Sequence, residues 1–333
     1  MLPSDRPERF AEPADPMPPV NHVAGQAARR DLPAWQIALL PTDLSLPAAQ
    51  AFCRQVAAAH YENFTVASRL VPVDLRQDLA NVYTYARWSD DLADESGGDA
   101  TASLAAWREG LDRCVAGQPD HPVYVALADT IARRRLTIEP FADLLDAFSQ
   151  DQWQHQYDDR DQLLDYCRRS ANPVGRIVLA LADCRDDGRV ALSDAICTGL
   201  QLVNFWQDIR RDRLAGRVYL PVADMQRHGV SETMLDTGRA GPELISLLAD
   251  EVAWARGFFD RGQPLARTAP KVLQPAIRLF LAGGRGVADA IERVGFDTLS
   301  RRPTLSRRTK FGLAARAATG MVCGRLTTLL GRG

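Results

Sequence analysis

Carboxylates recur at one-turn spacing in two apolar segments of this sequence. The first segment places four polar side chains at offsets of four, three and four residues, namely Tyr83, Arg87, Asp90 and Asp94. On a helix these offsets put all four on one face. Because two carboxylates one turn apart repel each other, the spacing favours a cation bound between them.

The second segment repeats the pattern with amides and carboxylates. One helical face carries Gln201, Asn204, Asp208 and Asp212. Oxygen ligands of this kind suit Mg²⁺, which keeps several waters and binds through a few carboxylates and substrate phosphates. Neither set contains a thiolate or an imidazole, which argues against zinc and copper.

A single acidic pair of this kind is ordinarily a solvated helix face. Here two pairs occur, and apolar residues such as Tyr85 and Trp206 flank them, so both helices are predicted to be largely buried. Buried carboxylates are costly unless they are paired or bound to metal. Two such clusters facing an apolar cavity suit Mg²⁺-assisted ionisation of a prenyl diphosphate, with aromatic faces sheltering the carbocation. Asp151 with Gln154 has two interpretations, a polar rim of this cavity or a solvated face, and the solvated face is favoured.

The elements that must position these clusters are helices. Apolar residues recur with a period near 3.6 from about residue 47 onward, and strand patterns are nearly absent. Ser193 or Asp194 is predicted to cap the helix that ends near Asp212. The predicted helices span 47–60, 72–96, 101–117, 121–136, 139–158, 161–170, 173–184, 190–214, 241–267, 271–297 and 306–330. The sequence therefore predicts an all-α fold.

Composition excludes several classes of protein. The chain has 333 residues, 46% of them hydrophobic, and a net charge of −2, so it is neither disordered nor a general nucleic-acid binder. Its six cysteines show no metal or disulfide spacing, which predicts reduced thiols. No apolar run reaches the length of about 18 residues that a membrane span requires, and no secretory signal is recognisable. We therefore expect a cytoplasmic protein.

Three regions are predicted along the chain. Residues 1–45 are rich in proline and are predicted to form a flexible arm, and residues 46–300 form a single catalytic domain. Residues 301–333 hold eight basic residues and no acidic one, and are predicted to form a basic amphipathic helix. Two interpretations of this helix stand: it lies on the inner face of an anionic membrane, or it packs on the body with its arginines in water.

At these clusters the sequence resembles the squalene/phytoene synthase family, from about His60 to Arg302. The two segments resemble the family's DxxxD and NxxxDxxxD motifs, and residues 216–221 resemble the Gly-Arg-x-Tyr-Leu-Pro that follows them. A narrower resemblance is to the hydroxysqualene synthases of the hopanoid pathway, also called squalene synthases of HpnC type. The stretches that carry it are Tyr61-Glu62-Asn63-Phe64, residues 170–176, residues 204–208, Gly295-Phe296-Asp297 and Arg301-Arg302-Pro303.

The resemblance implies a fold, a reaction and a site. The fold is a single isoprenoid-synthase-like helical domain around a central apolar cavity. The reaction converts presqualene diphosphate and water into hydroxysqualene and pyrophosphate, with Mg²⁺ and without NADPH. The implied metal ligands are Asp90, Asp94, Asn204, Asp208 and Asp212. The implied substrate contacts are Arg87, Gln201, Arg217 and Tyr219 at the diphosphate, and Asn63, Phe64, Tyr83 and Phe205 along the cation pocket. The implied neighbours are a presqualene diphosphate synthase and an oxidoreductase that reduces hydroxysqualene.

Two departures bear on the substrate. Bond-forming relatives usually have a Ser-Phe pair where this chain has Asn63-Phe64, and an Arg where it has Gln207. We interpret the missing cation at position 207 as suited to one diphosphate rather than two. One alternative is a head-to-head prenyltransferase that makes presqualene diphosphate, dehydrosqualene or phytoene. Another is a non-catalytic lipid-binding or assembly factor of the same fold, although such a protein is expected to lose cluster aspartates.

Overall fold

The computed structural model describes residues 40–41, 43–59, 70–94 and 99–305. These residues form no strand beyond one isolated parallel bridge between Gln156 and Val218, which confirms the all-α fold. The helices are α1 (Leu46–Ala59), α2 (Val73–Asp94), α3 (Ala100–Val115), α4 (Pro122–Arg134), α5 (Glu139–Gln150), α6 (Arg160–Ser170), α7 (Asn172–Leu181), α8 (Asp187–Leu214), α9 (Val222–Arg227), a 3₁₀ turn (Glu232–Asp236), α10 (Pro242–Gly262), α11 (Leu265–Thr268) and α12 (Gln274–Arg293).

The start of α8 corrects one predicted cap. The Asp186 carboxylate accepts a hydrogen bond from the backbone N–H of Arg189 at 3.0 Å and so caps this helix. Ser193 and Asp194 lie inside the helix, so the prediction that one of them caps it was wrong. Asp194 instead pairs with Arg176, with 2.7 Å between Oδ2 and Nη2.

Two other helices end earlier than the periodicity predicts. Helix α5 stops at Gln150, because the chain beyond it runs beside the segment that follows α8, where the Val218 N–H donates to the His155 carbonyl at 2.8 Å. Helix α10 stops at Gly262, and Pro264, which has no N–H to continue the helix, lies at the N-cap of the short α11. The helical turns at 222–227 and 232–236 were not predicted.

The core surrounds the two long helices that carry the acidic clusters. Helix α2 packs against α1, α3, α4 and α5, whereas α8 packs against α7, α10 and α12. The Trp88 and Trp206 side chains, one on each helix, are fully buried. At Gly262 a Cβ would come within 2.4 Å of the Ile196 side chain, so only glycine allows α10 to approach α8 this closely. Packing therefore holds both helices in place.

The predicted terminal regions mostly lie outside the described residues. Residues 1–39 of the arm and residues 306–333 of the basic helix are not described, and residues 301–305 are not helical. None of the described helices combines the length and hydropathy of a membrane span. The five cysteines in the described ranges are free thiols, four of them buried.

Candidate active site

The four cluster carboxylates lie at the C-terminal ends of α2 and α8. Asp94 is the last residue of α2, and Asp212 lies in the last turn of α8. Unsatisfied carbonyl groups make a helix C-terminus negative, so a carboxylate there is unfavourable without a cation nearby. Both helix ends therefore require positive charge.

Arg217 joins the two clusters. Its backbone N–H donates to the Asp212 carbonyl at 2.8 Å, which fixes it at the end of α8. Its guanidinium Nη2 donates to Asp94 Oδ1, also at 2.8 Å. Arg217 thus links the two motifs, with its backbone bonded to the end of α8 and its guanidinium to the end of α2. The sequence pattern alone does not reveal this link.

Arg87 stays within the first cluster. Its Nη1 lies 3.3 Å from Asp90 Oδ2, and its Nη2 pairs with the buried Asp91 carboxylate. Tyr83 lies one turn earlier and is half-buried. Burial raises the pKa of the Tyr83 phenol, the Asp91 and Asp90 charges raise it further, and Arg87 opposes them. The phenol is therefore a neutral hydrogen-bonding group at neutral pH.

The solvated-face interpretation of Asp151 was wrong. Its side chain is buried, and the Tyr166 hydroxyl donates to Oδ2 at 2.7 Å. Burial raises the Asp151 pKa to about 6, and the Asp94 and Asp90 charges add to this, while the Tyr166 bond and Arg217 act against it. Asp151 therefore belongs to the same electrostatic site. Sequence reasoning set it aside because it lies in neither motif.

The second cluster is neutralised from the far end of the described chain. Arg302 pairs with both oxygens of the Asp208 carboxylate, with Nη2 at 2.8 Å from Oδ2. The same nitrogen donates to Gln207 Oε1 at 3.1 Å, and the Gln207 amide donates to the Pro303 carbonyl. Position 207 itself carries no cation, but Arg302 places a guanidinium beside it. The sequence carried the signal for Arg302 in its Arg301-Arg302-Pro303 motif.

Asp212 remains the least neutralised carboxylate of this cluster. Burial raises its pKa to about 7, and Asp208 adds to the shift, while Arg211, Arg217 and Arg302 oppose it. A second cation close to Asp212 would favour its charged form.

An aromatic stack lies beside the joined clusters. The rings of Phe205 and Tyr219 are parallel within 11°, with centroids 3.9 Å apart. Tyr166 and Tyr157, which contact each other, both pack against Tyr219 and enlarge this aromatic cluster. A pocket of about 10 Å³ opens among these rings and is too small to be the predicted central cavity. Phe64 and Asn63, predicted to line that cavity, lie outside the described residues.

The donors present fit a hard cation. Among the residues described, no three His, Cys, Asp or Glu side chains lie close enough to hold a metal ion unaided. The two clusters nevertheless offer oxygen atoms alone, including Gln201 and the exposed Asn204 on α8. Mg²⁺ binds in this way, through one or two carboxylates completed by water and substrate phosphates.

The comparisons with known proteins identify the family. The squalene/phytoene synthase model matches residues 57–309. The chain belongs to the squalene/phytoene synthase family. It is 30% identical to the phytoene synthase of Arthrospira platensis over 75% of this chain and 86% of the relative. It is 32% identical to that of Thermus thermophilus over the same two shares.

Solved structures of the squalene/phytoene synthase family confirm the fold. The crystal structure of squalene synthase HpnC from Alicyclobacillus acidocaldarius is 41% identical, with a TM-score of 0.73 over 78% of this chain and 98% of that one. A dehydrosqualene synthase solved with a ligand has a TM-score of 0.75 at 23% identity, over 84% and 98% of the two chains, which shows the shared fold alone. The named relatives are synthases, and this chain is accordingly an enzyme of the same family.

Proposed function

We propose that this enzyme ionises presqualene diphosphate and captures the cation with water. The C–O bond to the diphosphate breaks, pyrophosphate leaves with the electron pair, and water adds to the carbocation and loses a proton to give hydroxysqualene. One observation carries this proposal: the Arg217–Asp94 bond joins two acidic clusters beside the Phe205–Tyr219 stack. Charge for a leaving diphosphate and π-faces for a carbocation thus lie side by side.

Each part of the site has a role in this proposal. Asp90, Asp94, Asn204, Asp208 and Asp212 would hold Mg²⁺, which neutralises the leaving diphosphate when bound. Arg217 and Arg87 contact the diphosphate oxygens, Gln201 and Tyr219 close the site around them, and Asn63 with Phe64 contacts the substrate chain. Tyr83 and Phe205 exclude bulk water and face the cation. Water ends the reaction, so no nicotinamide is needed.

Two observations bear on which diphosphate is used. The HpnC relative shares more identity with this chain than the two phytoene synthases do, which favours presqualene diphosphate. The second candidate is a head-to-head prenyltransferase. It is favoured by the phytoene synthase relatives, and by Arg302, which supplies a guanidinium beside Gln207 after all.

The proposal also includes partners and a location. In this proposal a presqualene diphosphate synthase supplies the substrate, and an oxidoreductase reduces the hydroxysqualene that is released. The oily substrate and product favour a cytoplasmic enzyme peripheral to the inner membrane face through residues 301–333, which hold eight basic residues.

The test is a product analysis. Purified enzyme with Mg²⁺ is incubated separately with presqualene, farnesyl and geranylgeranyl diphosphate, each with and without NADPH. We expect presqualene diphosphate to be consumed fastest, hydroxysqualene to form without reductant, and NADPH to change neither rate nor product. Efficient formation of presqualene diphosphate or phytoene from a linear diphosphate would instead establish the second candidate.

A further inference from the structure

A buried ionic cluster lies at α9, directly after the segment that carries Arg217 and Tyr219. Arg160, the first residue of α6, binds one carboxylate from α9 and one from α10. Its Nε lies 2.7 Å from Asp224 Oδ2, and its Nη2 lies 3.2 Å from Glu251 Oε1. One guanidinium therefore joins three helices.

The two carboxylates of this cluster are buried side by side. Asp224 is 3% exposed, and Glu251 is fully buried. They lie within hydrogen-bonding reach of each other, yet Glu251 Oε2 accepts no hydrogen bond from any described residue. Two ionised carboxylates would repel each other in so poorly solvated a site. A proton on Glu251 removes that repulsion and gives the unpaired oxygen a hydrogen bond to donate to Asp224.

The neighbouring charges place this proton on Glu251 rather than on Asp224. Arg227 Nη1 lies 2.8 Å from Asp224 Oδ1, so Asp224 contacts two guanidiniums and keeps its charge. Glu251 contacts Arg160 alone. Burial raises the pKa of Glu251 to about 8, and Asp224 adds to the shift, while Arg160 opposes it.

The other charged groups around α10 are paired elsewhere. On α12, Asp289 and Glu292 pair with Arg256. On α10 itself, Asp250 pairs with His228, which follows α9. In the described part of α8, no charged side chain forms an ion pair with the buried glutamate of α10. The protonation of that glutamate is therefore governed by its own cluster.

This cluster adjoins a segment of the candidate active site. Val222 begins α9, and its N–H donates to the Tyr157 carbonyl at 2.9 Å. Tyr219 and Arg217 lie just before Val222 in the chain. A displacement of α9 from α10 would therefore be transmitted to both side chains.

We propose that Arg160, Asp224 and Glu251 form a clasp, closed by one proton, that positions the segment 217–221 for catalysis. The clasp is closed while Glu251 is protonated and donates to Asp224. Loss of the proton leaves two buried negative charges against Arg160, and α9 loosens from α10. All three are positioning residues, because they act through Arg217 and Tyr219. The clasp goes beyond the proposed reaction, although its effect on turnover rests on the two-cluster site.

The kinetic test compares Glu251→Gln with wild type between pH 7 and pH 9. Glutamine keeps an N–H that donates to Asp224 at every pH. A group with a pKa of about 8 is roughly nine-tenths ionised at pH 9, so we expect the ratio of the variant kcat to the wild-type kcat to rise severalfold across this range. Glu243→Gln, at an exposed site on the same helix, should give a constant ratio. A constant ratio for Glu251→Gln overturns the proposal.

Hydrogen exchange measures the clasp without substrate. After correction for the intrinsic effect of pH on exchange, wild-type peptides covering residues 217–227 should exchange faster at pH 9 than at pH 7, and peptides from α4 should not. Both Glu251→Gln and Asp224→Asn should abolish this difference, because each removes one of the two like charges. Asp224→Asn also serves if Glu251→Gln folds poorly.

The exchange result does not depend on which diphosphate the enzyme uses, so it distinguishes failure of the clasp from failure of the proposed function. Equal corrected exchange of residues 217–227 at both pH values in wild type overturns the clasp. Faster exchange at pH 9 with a constant kcat ratio also overturns the proposal, because the clasp then does not position the site.

Discussion

The two carboxylate clusters obtain their positive charge in different ways. The first contains its own cation, since Arg87 lies on the same helix and pairs with Asp90 and Asp91. The second depends on Arg302, which lies 94 residues further along the chain. Asp90 of the first cluster therefore obtains its cation from its own helix, whereas Asp208 of the second obtains its cation only when residues 298–303 are folded against α8. The same motif chemistry can thus rest on local structure in one region and on tertiary structure in another.

The strongest test of this comparison removes one carboxylate from each cluster. Asp90→Asn and Asp208→Asn are both expected to lower turnover by about a thousandfold or more, because losing a metal ligand removes several kcal/mol of transition-state stabilisation. The fold should remain intact by circular dichroism. Asp112→Asn, an exposed aspartate outside the site, is the control. Near-normal activity in either cluster variant at saturating Mg²⁺ would refute the two-cluster site.

Arg217→Gln tests the bond between the clusters. We expect turnover to fall roughly a hundredfold, because the guanidinium that binds Asp94 and whose charge acts on Asp212 is lost. Arg213→Gln is the matched control, since Arg213 lies near the same helix end but pairs outward with Glu232 and Asp236. The kcat values of the two variants are compared. Equal losses in both variants would mean that general loosening of this helix end, rather than the link, is responsible.

A pH series of stability separates the clusters further. The pKa of Asp212 is raised from 3.8 to about 7 in the folded protein. Between pH 4 and pH 7 the folded state therefore holds a proton that the unfolded state has released, so raising the pH across this window lowers stability. The Tm of Asp212→Asn, measured in EDTA, should therefore fall less steeply with rising pH than the Tm of wild type.

Asp94→Asn serves as the comparison for this series, because it removes a carboxylate from the first cluster. It should leave the slope of Tm against pH close to that of wild type. If Asp212→Asn shows the same slope of Tm against pH as wild type, the raised pKa does not belong to Asp212. Glu251, whose pKa is also raised by burial, contributes equally to all three proteins and cancels in the difference. Asp94→Asn removes one of the charges that raise the Asp151 pKa, but burial, the largest cause of that shift, is unchanged.

The smallest effect is expected from Gln207→Leu. This change removes the hydrogen bonds to Arg302 and to the Pro303 carbonyl, and should lower the free energy of unfolding by about 1–2 kcal/mol. Urea unfolding measures it, with Gln226→Leu at an exposed site as the control. If the second cluster depends on tertiary structure, the kcat of this variant should fall together with its stability. The pairing of Arg87 with Asp90 and Asp91 in the first cluster should not change.

Sequence reasoning recovered the features that helical periodicity determines. It placed both clusters correctly on long, largely buried helices, because spacing of three and four residues determines a helix face. It did not recover the Arg217–Asp94 bond, which joins residues 123 positions apart. Nor did it find the role of Arg302, and it favoured a solvated face for Asp151, because neither residue belongs to a periodic pattern. The end of α5 was mispredicted for the same reason: a distant segment competes for its backbone.

The bridge between residues 155–158 and 218–223 has a consequence for how the chain tolerates changes in length. Val218 and Val222 donate to the carbonyls of His155 and Tyr157, so the register of this segment is fixed at two points. One inserted or deleted residue between α8 and the bridge would move Arg217 away from Asp94 and Tyr219 away from Phe205 together. Insertions between α8 and the bridge should therefore be tolerated far less than insertions in the connection at residues 237–241, which contains no residue of the candidate site.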